Sequence, residues 1–498
     1  MKSKEEVVKS SYRQIFKATS LFGGVQVITI IISIIRSKFV AIWLGSAGVG
    51  VMSLLNAPLG IITTLTGFGL SVSAIREISQ ASANGDNSAL AKIIKTFRRW
   101  VWFTGLLGMI ITIILSPYLS YWSFSNTDYV WSFVFLSGTL LLTDISNGQS
   151  ALLQGTRRLK EMGQSKIIGV VLGLFTSLPL YYFYGLEGIV PSIIITAFSS
   201  LILSWYYSRK IKLEKVEITY KESYKNGLDM VKLGIFLTLS GLIGTAIRYL
   251  ISAYISREGG VDQVGLYQAG FGLITGYVGI VFTAMATDYF PRLAGTNNNK
   301  DSIEIINQQI EMSVLIIAPI CVSLTIALPI VVKLLYTVDF LSIIPMLEWF
   351  LLSIIIKGVV WAVGFLYLAR ADYSTSFKID NITNAFLLGG YIGMYYLMGL
   401  EGIGIAEFIL YCLGFVLSYY YANKKYGFAL YRETVKIILL SLIISIAVFG
   451  LLRFLERNLF SYILSIILLC YLSFSSFKSL NQRLDIKSLI YKYIKKVN

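Results

Sequence analysis

The chain has 498 residues, of which 55% are hydrophobic and only 14% charged, and it carries a formal net charge of +16. So little polar surface cannot cover a water-soluble globule of this size, and the composition predicts an all-α polytopic membrane protein. Histidine is absent, and Cys321, Cys412 and Cys470 lie far apart in apolar stretches, so neither a metal centre, a disulfide framework nor an imidazole proton switch is expected.

The N-terminal MKSKEEVVKSSYRQIFK leads into a long apolar helix without a small-residue cleavage site, and reads as a cytoplasmic amphipathic lead-in rather than a removed signal. A helix needs about 20 apolar residues to cross the hydrocarbon, and about fourteen such stretches follow in order. They fall near 16–43, 48–77, 97–118, 129–153, 166–184, 188–208, 228–256, 263–290, 311–336, 341–369, 378–398, 401–422, 434–454 and 459–477. Pro58, Pro179, Pro191, Pro319 and Pro329 are candidate kinks. The last two stretches are nearly pure Ile, Leu, Val, Ser and Tyr, with no buried charge.

Basic residues fall on alternate turns. Arg157, Arg158 and Lys160, then the run from Arg209 to Lys225, then Lys424, Lys425 and the tail YKYIKKVN share one side, while the other side holds essentially Arg257, Arg453 and Arg457. This bias predicts cytoplasmic N- and C-termini and an even number of spans. It also accounts for most of the net charge, which is scattered over successive loops and so does not indicate nucleic-acid binding.

The chain repeats itself. The turn GLEGI at Gly185–Ile189 recurs at Gly399–Ile403, an offset of 214 residues, and VGVM at Val49–Met52 has its counterpart VGLY at Val264–Tyr267, an offset of 215. Two landmarks at nearly one offset predict two parallel six-helix repeats, an arrangement found in transporters. The expected organisation is an N-terminal lobe at 1–210, a linker at 211–227, a C-terminal lobe at 228–425, and an extra hairpin with a basic tail at 426–498.

Several spans carry charge at depth. Arg36 and Arg248 lie at nearly matching positions of spans one and seven, and Lys357 lies in the middle of span ten. A cation at the centre of a spanning helix costs roughly 2.5 to 3.5 kcal/mol on insertion scales, so these side chains need a partner or a wet cavity. A guanidinium fork suits phosphate oxygens, which makes Arg36, Arg248 and Lys357 candidate substrate-binding residues; a structural ion pair is the alternative. Lys38 is about 200° around the helix from Arg36 and is expected to snorkel outward. Asp144 and Glu348 are the candidate ion-coupling carboxylates, with structural pairing as their alternative. Glu348 precedes Lys357 by nine residues, half a turn apart in azimuth, so the two are expected to face opposite sides. Asp288 reads as interfacial.

No GxxxxGK[ST] loop is present, and without histidine the Ser-His-Asp and zinc-hydrolase constellations are excluded. A transporter driven by a gradient or the membrane potential is expected, with no cofactor. An exporter of cationic drugs would call for acidic cavity residues, and the buried cations argue against it.

Two segments resemble the bacterial polysaccharide or O-antigen flippases, within the exporter superfamily that also holds lipid II flippases and multidrug extruders. They are RSKFVAIWLGSAGVGVMSLLNAPLGIITTLTGFGLSVSAIREIS from Arg36 to Ser79, and VGLYQAGFGLITGYVGIVFTAMATDYFPRLA from Val264 to Ala294. The resemblance implies a V-shaped pair of six-helix lobes around a cationic central cavity, with Arg36 where lipid II flippases also place a cavity arginine. It implies transport of an undecaprenyl-pyrophosphate-linked glycan across the bacterial inner membrane. Membrane lipid and polysaccharide polymerase or ligase proteins are the implied partners. Two extra C-terminal spans are a departure from the twelve of many polysaccharide flippases and match the fourteen of lipid II flippases, which keeps lipid II open as the alternative substrate.

Overall fold

In hydrocarbon every backbone N–H and C=O must be satisfied within the protein, and a computed structural model of the chain meets that demand with helices. It describes residues 4–211, 213, 214, 216–296, 298–455 and 457–484, and most side chains from Gly24 onward. The tail YKYIKKVN and the side chain of Asp288 lie outside the described set.

The helices are α1 (Lys4–Trp43), α2 (Gly45–Gly67), α3 (Leu70–Asn84), α4 (Asn87–Phe124), α5 (Val130–Gly155), α6 (Leu159–Tyr184), α7 (Ile189–Ser208) and α8 (Tyr220–Leu273). They continue as α9 (Gly279–Ala294), α10 (Asn299–Leu335), α11 (Ile344–Ala369), α12 (Tyr373–Tyr426), α13 (Arg432–Phe454) and α14 (Leu459–Leu484). Among the described residues, eleven helical stretches are long and apolar enough to cross a membrane. Three of them, Leu159–Ser208, Gly241–Thr283 and Tyr373–Tyr426, run 50, 43 and 54 residues, far longer than a crossing of about 20. Each is interrupted at a glycine with positive φ, namely Gly185, Gly260 and Gly399, and is long enough on its two sides for two crossings. The described chain thus makes the fourteen crossings expected.

The two GLEGI turns share one backbone geometry. Gly185 has φ 55° and ψ −132°, and Gly399 has φ 60° and ψ −143°, a region closed to residues with a Cβ. The second glycine of each motif is equally constrained: a Cβ on Gly188 would lie 2.3 Å from the Leu180 carbonyl oxygen, and one on Gly402 would lie 1.9 Å from that of Met394.

Packing divides the chain into two compact units, Met1–Gly265 and Leu266–Asn498. In the first, Leu70, Ala74 and Ile78 form an apolar stripe on α3 that packs with Phe97 and Trp100 of α4, Leu152 of α5 and Met230 of α8. This corrects the expected second span. The stretch 48–77 does not cross as one helix; it breaks at Phe68 and Gly69, both left-handed, and α3 is a separate amphipathic helix. The cause is steric, because a Cβ on Gly69 would sit 2.2 Å from the Gly234 carbonyl oxygen. Nearer the other end, α2 meets α8 at Gly50 and Gly265: a Cβ on Gly50 would lie 2.1 Å from Val261 O, and one on Gly265 would lie 1.8 Å from Ser46 O. Ser46 Oγ donates to Asp262 Oδ1 at the same crossing, at 2.5 Å.

In the second unit, Ile306, Ile310, Val314, Ala318 and Val322 form an i+4 ridge on α10 that packs among Ile355 and Val359 of α11 and Ile444 and Val448 of α13. The C-terminal hairpin α13–α14 carries paired charge at both ends, where the sequence predicts a hairpin with no buried charge and reads Arg453 and Arg457 as loop residues. Arg457 Nη2 donates to Glu348 Oε1 of α11 at 2.6 Å, and Arg453 pairs with Glu401 of α12 at 2.5 Å and Glu348 at 3.6 Å. At the other end Arg483 Nε donates to Glu311 of α10 at 2.8 Å, and Thr434 Oγ1 donates to the same carboxylate at 2.7 Å. These arginines sit at helix ends, where an apolar-run reading counts them as loop.

Candidate functional site

The segment of α1 from Gly24 to Trp43 has no acidic residue, and its Thr29 and Ser33 hydroxyls donate to carbonyls of the preceding turn. Arg36, half-buried, therefore takes its partner from another helix. Its Nη2 donates to the Tyr181 hydroxyl at 2.8 Å, and that hydroxyl is 2.8 Å from Ser192 Oγ of α7. Tyr181 is placed there by a buried stripe on α6, Gly173, Ser177 and Tyr181, which lets α7 pack closely. Arg36 Nε is buried with no hydrogen-bond partner among the described residues. A tyrosine rather than a carboxylate holds this guanidinium, so its charge stays uncompensated at that contact.

Arg248 is half-buried on α8, where Ser252 Oγ donates to its carbonyl at 3.0 Å. Lys357 on α11 places its ammonium 5.6 Å from the ring centroids of both Phe282 and Tyr411, a cation–π setting. Glu348, one helix face away, is buried against the α13–α14 turn and its two arginines. The half-turn separation of Glu348 and Lys357 is thus expressed as two environments, one ionic and one aromatic.

Asp144 is buried on α5 beside the α4 backbone, where a Cβ on Gly105 would lie 3.4 Å from the Asp144 Cβ. Its Oδ2 is buried with no hydrogen-bond partner among the described residues.

Sequence reasoning missed the partners. Tyr181 belongs to the paired tyrosines before the first GLEGI turn, a visible landmark whose hydroxyl carried no mark of its role. Glu401 lies inside the second GLEGI and pairs with Arg453, whereas Glu187 of the first copy is exposed. Glu407, buried on α12, accepts a hydrogen bond from the Tyr391 hydroxyl, and nothing in its sequence neighbourhood distinguished it.

A helical chain with this many long apolar spans and with cations embedded in them has the architecture of a polytopic membrane protein that handles a charged partner. The sequence profile of the polysaccharide biosynthesis protein family matches residues 15–297, and the chain belongs to that family. It is 26% identical over 314 residues to a candidate O-antigen transporter of Shigella flexneri, covering 61% of this chain and 72% of that protein. With a lipid III flippase of Escherichia coli (strain K12) it shares 19% identity over 345 residues, or 67% of this chain and 80% of the relative. The solved structure of the lipid II flippase MurJ in an inward closed conformation superposes with a TM-score of 0.71 at 13% identity, over 94% of this chain and 99% of that one. An inward-facing multidrug resistance MATE family transporter of the MOP superfamily gives 0.65 at 14% identity, over 80% and 95%. These two structures establish the fold. The chain therefore shares its fold with these two transporters, and the relatives named above are transporters and flippases.

Proposed function

We propose that the chain is a flippase that moves an undecaprenyl-pyrophosphate-linked oligosaccharide across the bacterial cytoplasmic membrane for surface polysaccharide synthesis. The observation that carries this reading is Arg36: a half-buried guanidinium inside a span, held by the neutral Tyr181 and with Nε unsatisfied among the described residues. Such a group attracts an anion, and its fork matches the oxygens of a pyrophosphate. Arg248 and Lys357, both in the lobe 228–425, supply further positive charge, and the lobes 1–210 and 228–425 open alternately to the two faces. The shared geometry of the GLEGI turns supports the two-repeat organisation behind that motion. Asp144 carries the coupling proton or cation, and Glu348, tied to Arg457 and Arg453, is the structural carboxylate of the pair. Both termini are cytoplasmic, and polysaccharide polymerase or ligase proteins receive the product.

The test is gene deletion in the host, with extraction of undecaprenyl-linked intermediates and an impermeant periplasmic glycosidase to read their sidedness. Accumulation of a sugar-bearing lipid, protected on the inner face, with loss of surface polysaccharide is expected. A second reading, a lipid II flippase, is favoured by the structural match over nearly the whole of MurJ. Accumulation of lipid II instead would decide for it, and accumulation of neither lipid would overturn both.

A further inference from the structure

A cavity of about 600 Å³ opens in the first unit between α4, α5 and α7, away from Arg36 and its tyrosine. Its walls are apolar, formed by Val101, Leu142, Ile145, Leu152 and Leu201. Arg98 and Arg209 line the same cavity, with Trp102 and Trp205 beside them. Both tryptophans and Ile202 are half-exposed, so the cavity is a groove open sideways to the bilayer. Among the described residues Arg98 makes no ion pair, and Arg209 lies over the Trp205 ring at 4.4 Å. An adjoining hollow of about 930 Å³ shares Arg98 and Trp102 and reaches the α7–α8 connection. Glu214 and Glu217 line this second hollow, where Lys95 and Arg99 are engaged with Val216 O, Thr219 O and Ser223 Oγ, whereas the lining of the 600 Å³ cavity includes Arg98 and Arg209 and, among the described residues, no carboxylate.

The dimensions identify the occupant. From Leu142 to Leu152 the groove follows ten residues of α5, roughly 15 Å at 1.5 Å per residue. That is about half of a hydrocarbon core of about 30 Å, the depth of one leaflet. Tryptophans and arginines at one end of such a groove mark the headgroup level, and basic pockets between spans favour anionic headgroups. A long polyprenyl chain would overrun the groove.

We infer that this groove binds an anionic glycerophospholipid from the leaflet nearest the α7–α8 connection, its phosphate on Arg98 and Arg209 and an acyl chain between α4, α5 and α7. The site stands apart from the transported substrate, and its test needs no transport assay. Full-length protein in detergent is titrated with dioleoylphosphatidylglycerol or dioleoylphosphatidylcholine and weighed by native mass spectrometry. At least a fivefold preference for phosphatidylglycerol is expected, falling to parity in Arg98→Gln, Arg209→Gln and persisting in Lys232→Gln, Lys436→Gln, which removes the same charge from exposed positions. Ile202→Trp, which keeps both arginines and fills the mouth, should reduce bound phosphatidylglycerol by a similar factor, so the site stays testable if the arginine variant fails to fold. A preference unchanged in Arg98→Gln, Arg209→Gln overturns the site. Displacement by inorganic phosphate would assign the arginines to free phosphate, and complete displacement by undecaprenyl phosphate would make the groove a substrate dock; either overturns the phospholipid assignment.

Discussion

Gly50 and Gly265 are seated reciprocally, each against the carbonyl of the residue four positions before the other, so that Val261 caps Gly50 and Ser46 caps Gly265. Both partner pairs, 46 with 261 and 50 with 265, obey the 215-residue offset of the VGVM and VGLY motifs. The crossing is therefore locally two-fold, and it admits no side chain on either helix. Gly50→Val should force α2 and the second half of α8 apart, with an overpacking cost of about 1–3 kcal/mol. Thermal unfolding of purified protein checks this, with Gly60→Val, at a site with open space around it, as the mild control.

Removing the guanidinium at position 36 should lower export of the lipid-linked glycan by at least roughly tenfold, about 1.4 kcal/mol, at unchanged protein level. Arg248→Ala should behave likewise, and Lys38→Ala should be milder. Tyr181→Phe keeps the cation but removes its acceptor, so a smaller loss is expected. Normal export by Arg36→Ala, Arg248→Ala would remove the cationic mechanism. Surface polysaccharide per cell, normalised to immunoblot, is the readout.

Asp144→Asn keeps the shape of the side chain and removes its charge. If Asp144 couples transport to an ion gradient, the variant should still exchange lipid-linked substrate across proteoliposomes at equilibrium but lose acceleration by an imposed gradient. Equal acceleration in variant and wild type would return Asp144 to a structural role.

Arg457→Ala leaves Glu348 buried with only Arg453 at 3.6 Å, and removing one partner of a buried pair costs about 3–5 kcal/mol. The double variant Glu348→Gln, Arg457→Gln should recover much of that loss. A double-mutant cycle on thermal unfolding measures the difference.

At the turn before α12, burial of the Asp372 carboxyl disfavours its ionisation, but hydrogen bonds from Lys425, Thr375 and Tyr426 outweigh that and hold its pKa well below the usual carboxylate range. Its ammonium contact with Lys425 is 2.9 Å. A depressed folded-state pKa contributes stability that is present above the unfolded value near 4 and is lost as pH falls toward the folded value. Asp372→Asn keeps an acceptor for the Thr375 N–H, so it should be less stable than wild type from pH 5 to 7, with the gap closing below pH 4. Melting curves across that range test the sign.

The crossings were legible because lipid forces each one to be a long apolar helix, and α5, α7, α11 and α13 follow the expected stretches closely. The break at Phe68–Gly69 was not, since FGLSVSAI stays apolar straight through it and the obstacle is the Gly234 carbonyl, 165 residues away in sequence. The same distance problem hid the site. Arg36 and Asp144 announce themselves as charges among apolar neighbours, but Tyr181, 145 residues from Arg36, is chosen by helix packing that no local pattern encodes. Glu348 was weighed against Lys357 on its own helix, while its partner Arg457 lies 109 residues downstream.

The arginine clasp of the last hairpin also bears on how the chain is made. Ribosomal synthesis delivers α11 and the second half of α12 to the bilayer before α13 and α14 exist, so Glu348 and Glu401 enter without their counter-ions. Only when Arg453 at the end of α13 and Arg457 just beyond it emerge can those carboxylates be neutralised. The second unit therefore closes its charge balance late, first at this turn and then when Arg483 reaches Glu311, and a nascent chain stalled before residue 453 holds Glu311, Glu348 and Glu401 without their arginines.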